Sequence, residues 1–167
     1  MERGQYDKYE HERQENMLDL FGWLLDKMSP HFTAPPHRSL DKSVIAHRTR
    51  IALFEIMFTG ETLQYRLNQY AFIHLELASA LFENNQKEEG YTILEKAVQY
   101  AEEWFRVPEG ELCYTGMFDH IHRRKSKSLS PEKMLNFMIG NKQWSGFALV
   151  ANEERYKELV ERIQKYT

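Results

Sequence analysis

The chain has 167 residues, of which 42% are hydrophobic and 13% aromatic, so it can build one domain with a substantial core and does not have the composition of a disordered protein. Its formal net charge of -3 at pH 7 argues against a domain that binds nucleic acid over most of its surface, since such domains carry an excess of Lys and Arg. The single cysteine, Cys113, excludes an intramolecular disulfide and favours the reducing cytoplasm.

The charged N-terminus lacks the apolar stretch of a secretory signal peptide. The most apolar run, residues 51–58, is interrupted by Glu55 and is far shorter than the roughly 20 residues that cross a bilayer. We therefore predict a soluble cytoplasmic protein that has no contact with a membrane.

A first helix is predicted over residues 7–28, where two neighbouring apolar rows recur at helical spacing. The turns before Met17 are mostly charged, so residues 1–16 are expected to form a solvated extension. Ser29 and Pro30 end the helix, because the residue before a proline avoids the helical region. One apolar row contains Met17, Leu20 and Leu24, and the other contains Leu18, Phe21, Leu25 and Met28.

A loop with three prolines is predicted over residues 30–41, and a second helix over residues 40–58. The second half of that helix, residues 51–58, is apolar almost all round, which predicts a central position in the domain. Its one charged residue, Glu55, is expected on a thin exposed strip, because carboxylates are rarely buried without a partner.

The next two helices are predicted over residues 61–83 and 87–105, joined by a polar turn of two asparagines and a glutamine. Within them, residues 71–105 predict two antiparallel helices with small residues where the helices cross. This spacing resembles the helical hairpin of tetratricopeptide repeat (TPR) proteins, which bind proteins, peptides or each other. The residues expected to pack the hairpin are Leu77, Ala78, Leu81, Gly90, Leu94 and Ala97.

After the hairpin, residues 111–129 fit a short extended piece followed by a basic loop. Ser130 and Pro131 then begin a helix that ends by Gly140, because serine is a good N-cap and proline is favoured at the first helical position. The remaining predicted elements are a loop over residues 141–150 and a last helix that begins at residues 152–154 and runs to about residue 165.

These elements predict an all-α fold. We expect a single domain over residues 1–167, built as an α-α superhelix of about six helices in TPR-like antiparallel hairpins. No strong β pattern and no linker between domains interrupts the chain.

The order of elements after the hairpin resembles that of a known family. A stretch of tyrosine, threonine and a small residue follows the hairpin, and then come a short helix, an aromatic-rich turn and a last helix that begins with acidic and aromatic residues. Over residues 43–167 this arrangement resembles the C-terminal regulatory region of bacterial helix-turn-helix transcription regulators of the Xre type, found in Firmicutes. The matching positions are Tyr114, Thr115, Trp144, Phe147, Glu153, Arg155 and Tyr156.

The resemblance implies a non-catalytic regulatory or sensor module that acts by forming a homodimer, by binding a peptide or small-molecule effector in a TPR-like groove, or by both. Such regulators contact DNA through an N-terminal helix-turn-helix domain. Residues 1–28 predict one long helix instead, so DNA would be contacted only through a domain absent from this chain. The alternative is a stand-alone TPR-like adaptor that binds other proteins and has no link to transcription.

In a TPR-like solenoid the third predicted helix would line the concave groove, and the second would add basic residues to it. The same spacing also fits side chains that pack against the first helix or against a second subunit. The candidates for an effector or peptide groove are His47, Arg48, Arg50, Phe72, Leu75, Glu76, Ser79 and Phe82.

A short basic run near residue 124 is a candidate for contact with phosphate, although a solvated loop would have the same composition. Its cations are Arg123, Arg124, Lys125 and Lys127. His120, His122 and the nearby cysteine supply too few donors for a zinc site, which needs four ligands or three and a water. We therefore predict no metal and no cofactor.

Sequence motifs for catalysis are missing from the chain. It contains no phosphate-binding glycine loop, no HExxH and no nucleophile elbow. Neighbouring glutamates such as Glu102 and Glu103 point about 100° apart on a helix and do not converge. We therefore predict that the protein is not an enzyme.

Overall fold

A computed structural model describes residues 3–29, 39–58, 61–64, 66–113, 116–125, 129–140 and 145–167. The helices are α1 (Arg3–Lys27), α2 (Leu40–Met57), α3 (Glu61–Gln64), α4 (Leu67–Glu83), α5 (Lys87–Arg106), α6 (Pro131–Leu135), α7 (Ser145–Ala148) and α8 (Glu154–Gln164). The fold is all-α, an α-α superhelix of antiparallel helical hairpins, as the sequence predicts. Among the described helices, none is long and apolar enough to cross a membrane.

The hairpin of α4 and α5 packs as its small residues predict. Ala78 and Ala97 are fully buried where the two helices cross. A Cβ atom on Gly90 would lie only 2.7 Å from the ring of Phe82, so the hairpin needs a residue without a side chain at this position. The turn between the helices places Asn85 in the left-handed region, with φ of 57°, which asparagine tolerates better than most residues.

The central element of the fold is α4. Fourteen of its 17 residues are buried, because α2, α5 and α7 each pack against a different side of it. The prediction that residues 51–58 of α2 lie at the centre is therefore wrong. Phe54 and Phe58 are buried there, but Ile56 is 72% exposed, since α2 contacts the rest of the protein along only part of its surface.

The predicted third helix, residues 61–83, is divided in two. The single turn α3 ends at Gln64, and α4 begins at Leu67 after Arg66, whose φ of -122° lies outside the helical range. Apolar periodicity continues across this break, so the sequence pattern did not reveal it.

Of the two apolar rows of α1, one faces the protein. Leu18, Phe21 and Leu25 are buried, and the ring of Phe21 lies 5.5 Å from that of Phe58. In the other row Met17 packs partly against the core, while Leu20 is 68% and Leu24 40% exposed.

The N-terminal half of α1 is held by polar contacts with residues 119 and 120, including a 2.8 Å hydrogen bond between the His11 ring and the carbonyl oxygen of His120. The buried amide of Gln14 donates to Asp119 at 3.0 Å and accepts from the backbone N–H of His120 at 3.0 Å. Residues 3–9 expose their side chains. These contacts fix α1 on the segment that follows α5.

The segment that follows α5 contains the short extended stretch predicted within residues 111–129. Strand β1 (Glu111–Cys113) pairs antiparallel with β2 (His122–Arg124), and Leu112 stands opposite Arg123. A 3₁₀ turn lies between the strands, at Gly116–Phe118, and buries Phe118 against α2.

The C-terminal elements cover the hairpin. The hydroxyl of Ser130 accepts from the backbone N–H of Lys133 at 3.3 Å, which confirms the predicted N-cap of α6. A π-helical turn, Asn136–Gly140, continues α6. Residues 141–150 were predicted to be a loop, but their second part forms α7, which inserts against α4.

Candidate functional site

Most residues predicted to line a concave groove lie inside the protein. His47, Arg50, Leu75, Glu76, Ser79 and Phe82 are buried. The ring of Phe72 packs edge-on against that of Phe137 at 4.9 Å, and the exposed Arg48 pairs with Glu89 at 2.6 Å. The expectation of an open groove along α4 is therefore corrected: helical spacing is the same for a groove and for a core, and every side of α4 has a neighbour.

The buried charges of this region neutralise one another. The guanidinium of Arg50, on α2, donates to the carboxylate of Glu76, on α4. The same nitrogen of Arg50 lies 3.1 Å from Nδ1 of His47, which is in turn 3.7 Å from the Glu76 carboxylate. This cluster joins α2 to α4 and is a structural element, because its charged groups are occupied with each other.

A second polar cluster lies beside it on α4. The hydroxyl of Tyr70 donates to the carboxylate of the exposed Glu55, which confirms the predicted exposure of that glutamate. Burial, followed by this hydrogen bond, raises the pKa of Tyr70, and burial also raises the pKa of Tyr100, whose ring lies 4.7 Å away. Neither phenol can act as a base near neutral pH.

The imidazole of His74 completes this second cluster. Its Nδ1 lies 2.8 Å from the carbonyl oxygen of Tyr70, to which it donates. The side chain is 3% exposed, and burial lowers its pKa to about 4, from an ordinary value of 6.5. His74 is therefore neutral in the folded protein over the physiological range.

The low pKa of His74 predicts a loss of stability in mild acid. The unfolded chain binds a proton at this site below about pH 6.5, whereas the folded chain does so only near pH 4, so protons favour unfolding between these values. We expect the contribution of neutral His74 to the free energy of unfolding to be fully present above pH 6.5 and to fall by about 3 kcal/mol as the pH approaches 4.

Urea denaturation of the wild type and of His74→Gln between pH 7 and pH 4 measures this effect. The difference between the two free energies of unfolding should fall steadily toward acid, because the glutamine does not titrate. The matched control is His122→Gln, at an exposed position of β2, which makes the same substitution outside the cluster of Tyr70, Tyr100 and His74. Parallel curves for wild type and His74→Gln would contradict the assignment.

The basic run offers little free positive charge in its described part. The ammonium of Lys125 donates to the carbonyl oxygen of Val107 at 2.6 Å and lies 5.4 Å from the centre of the Trp104 ring. Its side chain is 10% exposed, so Lys125 supports the end of α5 and does not point to a ligand. The backbones of Arg123 and Arg124 belong to β2, while their side chains and Lys127 lie outside the described residues.

The two histidines near the basic run have different surroundings. His120 is held by Asp119 at 2.8 Å, and this carboxylate raises the pKa of the imidazole. His122 lies on β2, exposed. Among the described residues, no three His, Cys, Asp or Glu side chains converge as a metal site would require.

Three elements enclose a cavity at the C-terminal end of the fold, which we call the C-terminal cleft. The π turn after α6, the short helix α7 and the outer face of α8 form its walls, with a volume of about 730 Å³. This size lies within the range of small-molecule sites, about 300–1,000 Å³. The lining residues are Met138, Ile139, Gly140, Ser145, Phe147, Ala148, Ala151, Tyr156, Lys157, Val160, Glu161 and Gln164.

The walls of the cleft are apolar and are fixed to the core. The hydroxyl of Tyr156, on α8, donates to the carbonyl oxygen of Met138 in the π turn at 2.6 Å. The rings of Tyr156 and Phe147 lie 5.9 Å apart and are buried. Ile139 presents an apolar side chain that is 62% exposed, as expected for a wall residue that contacts a ligand.

The charged and other strongly polar side chains that line the cleft are exposed to solvent, and we call them its rim: Ser145, Lys157, Glu161 and Gln164. Lys157 and Glu161 lie one turn apart on α8 and expose their charged ends. The hydroxyl of Ser145 donates to Glu83 at 2.7 Å, which ties the rim to α4. Residues 141–144, which connect the π turn to α7, lie outside the described residues, as do the family-like positions Tyr114, Thr115 and Trp144.

Sequence reasoning missed the cleft because its walls come from segments that periodicity treats separately. One signal was available: residues 137–139 are three consecutive apolar residues, whereas the buried row of an α-helix recurs only every three or four residues. The π turn accommodates this extra residue, and π-helical turns occur often at functional sites.

Comparisons of the chain with protein families, with curated proteins and with solved structures found no significant match. The function of the chain is therefore inferred from its own residues and from the resemblance described above.

Proposed function

We propose that this chain is a non-catalytic regulatory module that binds an effector in the C-terminal cleft. The observation that carries the proposal is the cleft itself, an apolar cavity of about 730 Å³ closed on one side by a π turn and lined on the other by an amphipathic helix. Ligand sites have this composition, with a mostly apolar lining and a few polar groups that orient the ligand.

The lining defines the class of effector. Buried Met138 and Phe147 and the exposed Ile139 suit an apolar body, either of a small molecule or of a peptide side-chain cluster. Lys157 and Glu161 at the rim suit a polar end that stays in contact with water. The effector is therefore amphipathic and of drug size.

The regulatory part of the proposal is supported by the resemblance to the C-terminal regions of Xre-type regulators. In such a protein the module would self-associate and would control a DNA-binding domain elsewhere in the native polypeptide. The alternative, a stand-alone adaptor, shares the cleft and lacks that domain. The mass of the native product separates the two: roughly 60 additional residues, the size of one small DNA-binding domain, would support the regulator, and a product of 20.0 kDa would favour the adaptor.

Filling the cleft should weaken the binding of an amphipathic probe. Ala148 is an exposed lining residue of α7, so Ala148→Trp should occupy the cavity without disturbing the core. We expect 8-anilinonaphthalene-1-sulfonate, an amphipathic dye, to bind the wild type, and the variant to bind it at least about tenfold more weakly. Fluorescence titration measures both affinities.

The matched control is Ala52→Trp, which adds the same side chain at an exposed position of α2 that does not line the cleft. It should keep the wild-type affinity for the dye. Cooperative thermal unfolding of both variants would show that the dye reports the cleft and not a molten state. Equal dye binding by the wild type and Ala148→Trp would rule out the cleft as the binding site.

A further inference from the structure

We propose that the effector of the C-terminal cleft is a lipophilic cation, an apolar body with a protonated nitrogen that Glu161 and Gln164 hold. The charge of the ligand rests on the proposed function, since it presupposes that the cleft binds an effector. Apolar walls accept the body of a ligand whatever its charge, so the groups at the rim and at the helix ends of the cleft decide the sign.

Glu161 is a charged rim residue that is free to bind a ligand. Its side chain lines the cleft and is exposed. In the part of the chain that the structure describes, no Lys, Arg or His nitrogen lies within 4.0 Å of its carboxylate. An ionised carboxylate only accepts hydrogen bonds, so the matching group on a ligand is a donor, and a positively charged donor binds best.

The other charged rim residue, Lys157, is paired with a group outside the cleft. Its ammonium lies 3.7 Å from the carboxylate of Glu154, which is not part of the lining. Glu154 lies one turn closer to the start of α8, whereas Glu161 lies one turn closer to its end. The positive charge of Lys157 is therefore partly neutralised, while the negative charge of Glu161 is not.

Gln164 can share a bound nitrogen with Glu161. The two residues are three positions apart on α8, which places them on the same side of the helix, and both are exposed and line the cleft. A protonated primary amine has three N–H donors. It can donate to the Glu161 carboxylate and to the side-chain amide oxygen of Gln164 at the same time.

Helix ends at the cleft favour the same sign of charge. The helical stretch of residues 131–140 and α8 both end among the lining residues, at Gly140 and Gln164, and the C-terminal end of a helix carries about half an elementary negative charge. The short helix α7 begins at the cleft with Ser145 but has only four residues. The hydroxyl of Ser145 donates to Glu83, so a further carboxylate lies behind that wall.

Three probes of similar shape measure the preferred charge. Near pH 7, 4-phenylbutylamine is positive, 4-phenylbutanol is neutral and 4-phenylbutanoate is negative. NMR titration of the isotope-labelled protein gives each Kd, and the shifted amide signals locate the site. We expect the amine to bind at least about tenfold more tightly than the carboxylate, with the alcohol between them, because the contact with Glu161 changes from attraction to repulsion.

Glu161→Gln tests the residue that recognises the charge, since it keeps the shape of the side chain and removes its charge. The Kd of the amine should rise about threefold to fivefold, as expected for one exposed ion pair. The anionic dye 8-anilinonaphthalene-1-sulfonate should bind this variant more tightly than the wild type, a change in the opposite direction. An unchanged affinity for the amine would overturn the assignment.

The matched control is Glu158→Gln. It removes the same charge from the same helix, at an exposed position that does not line the cleft. Each Kd should change by less than about twofold, because a charge outside the site is screened by water and salt. A Glu158→Gln variant that weakens the amine as much as Glu161→Gln would overturn the specific contact.

A free amine and a basic peptide share the chemistry of a protonated nitrogen beside an apolar body. The acetylated and amidated tripeptide Phe-Leu-Lys separates these two sources. Tighter binding of the tripeptide than of 4-phenylbutylamine would identify a peptide, and weaker binding would identify a free amine. Either result supports a cationic ligand when the tighter of the two binds Glu161→Gln more weakly than the wild type.

The probes also separate the charge of the ligand from the existence of the site. Equal binding of all three probes, weakened in Ala148→Trp, would overturn the cationic ligand and leave the effector cleft intact. Tighter binding of the carboxylate, weakened in Lys157→Gln, would make the ligand an anion and would also overturn the proposal. If no probe binds and the dye binds equally to the wild type and Ala148→Trp, both proposals fail.

Discussion

Gly146→Ala is expected to destabilise the protein by about 3 kcal/mol or more, a large part of the stability of a typical domain. A Cβ atom built on Gly146 would lie 2.0 Å from the carbonyl oxygen of Ser79. The position of a Cβ atom is fixed by its own backbone, and the carbonyl oxygen is a backbone atom, so no side-chain rotation can relieve the contact and α7 must move off α4. Thermal and urea unfolding of the variant measure the loss.

The matched control is Gly22→Ala, in the middle of α1, where nothing lies within 4 Å of the added methyl group. Alanine stabilises an exposed helix by up to about 1 kcal/mol relative to glycine, so this variant should be slightly more stable than the wild type. The same substitution therefore has opposite signs at the two positions. An unchanged free energy of unfolding for Gly146→Ala would show that α7 does not approach α4 this closely.

Glu76→Leu is expected to cost about 3–5 kcal/mol, because it leaves the guanidinium of Arg50 buried without its counter-charge. Both side chains are almost inaccessible, with 6% of Arg50 and 5% of Glu76 exposed. The second substitution, Arg50→Met, removes the orphaned charge. The double variant should recover most of the lost stability, since buried ion pairs are often replaced by apolar residues at little cost.

The free energies of unfolding of the wild type, the two single variants and the double variant form a thermodynamic cycle. Glu89→Leu is the control, because Glu89 pairs with Arg48 at the surface, where both partners are about half exposed. Such pairs contribute about 0–1 kcal/mol. A Glu76→Leu variant no less stable than Glu89→Leu would contradict a buried charge cluster.

Local sequence signals predicted the helices well where the determining contacts are themselves local. The N-cap by Ser130, the left-handed turn at Asn85 and the small residues of the α4–α5 hairpin follow from steric and hydrogen-bonding preferences within a few residues. The predicted last helix also exists over Glu154–Gln164. Its N-cap, Glu153, makes no capping bond with its side chain, which pairs with Lys87 on α5 instead.

Spacing alone could not decide which apolar faces are covered. The groove predicted along α4 is interior, while the row of α1 that contains Leu20 is exposed. Both have the periodicity of a buried helix face, because a face that packs within the chain and a face available to a second chain require the same residues. The C-terminal cleft was missed for a related reason, since its walls belong to three separate short elements, the π turn, α7 and α8.

The sequence by itself determined the all-α class, most helix boundaries, the hairpin of α4 and α5 and the absence of recognisable catalytic motifs. Each of these depends on backbone preferences or on residues close together in the chain. Only the tertiary structure decided that α4 is central, that Arg50 meets Glu76 and that the π turn and α8 enclose a cavity. These outcomes depend on which other elements pack against each helix. The spacing of apolar residues within one helix does not determine that.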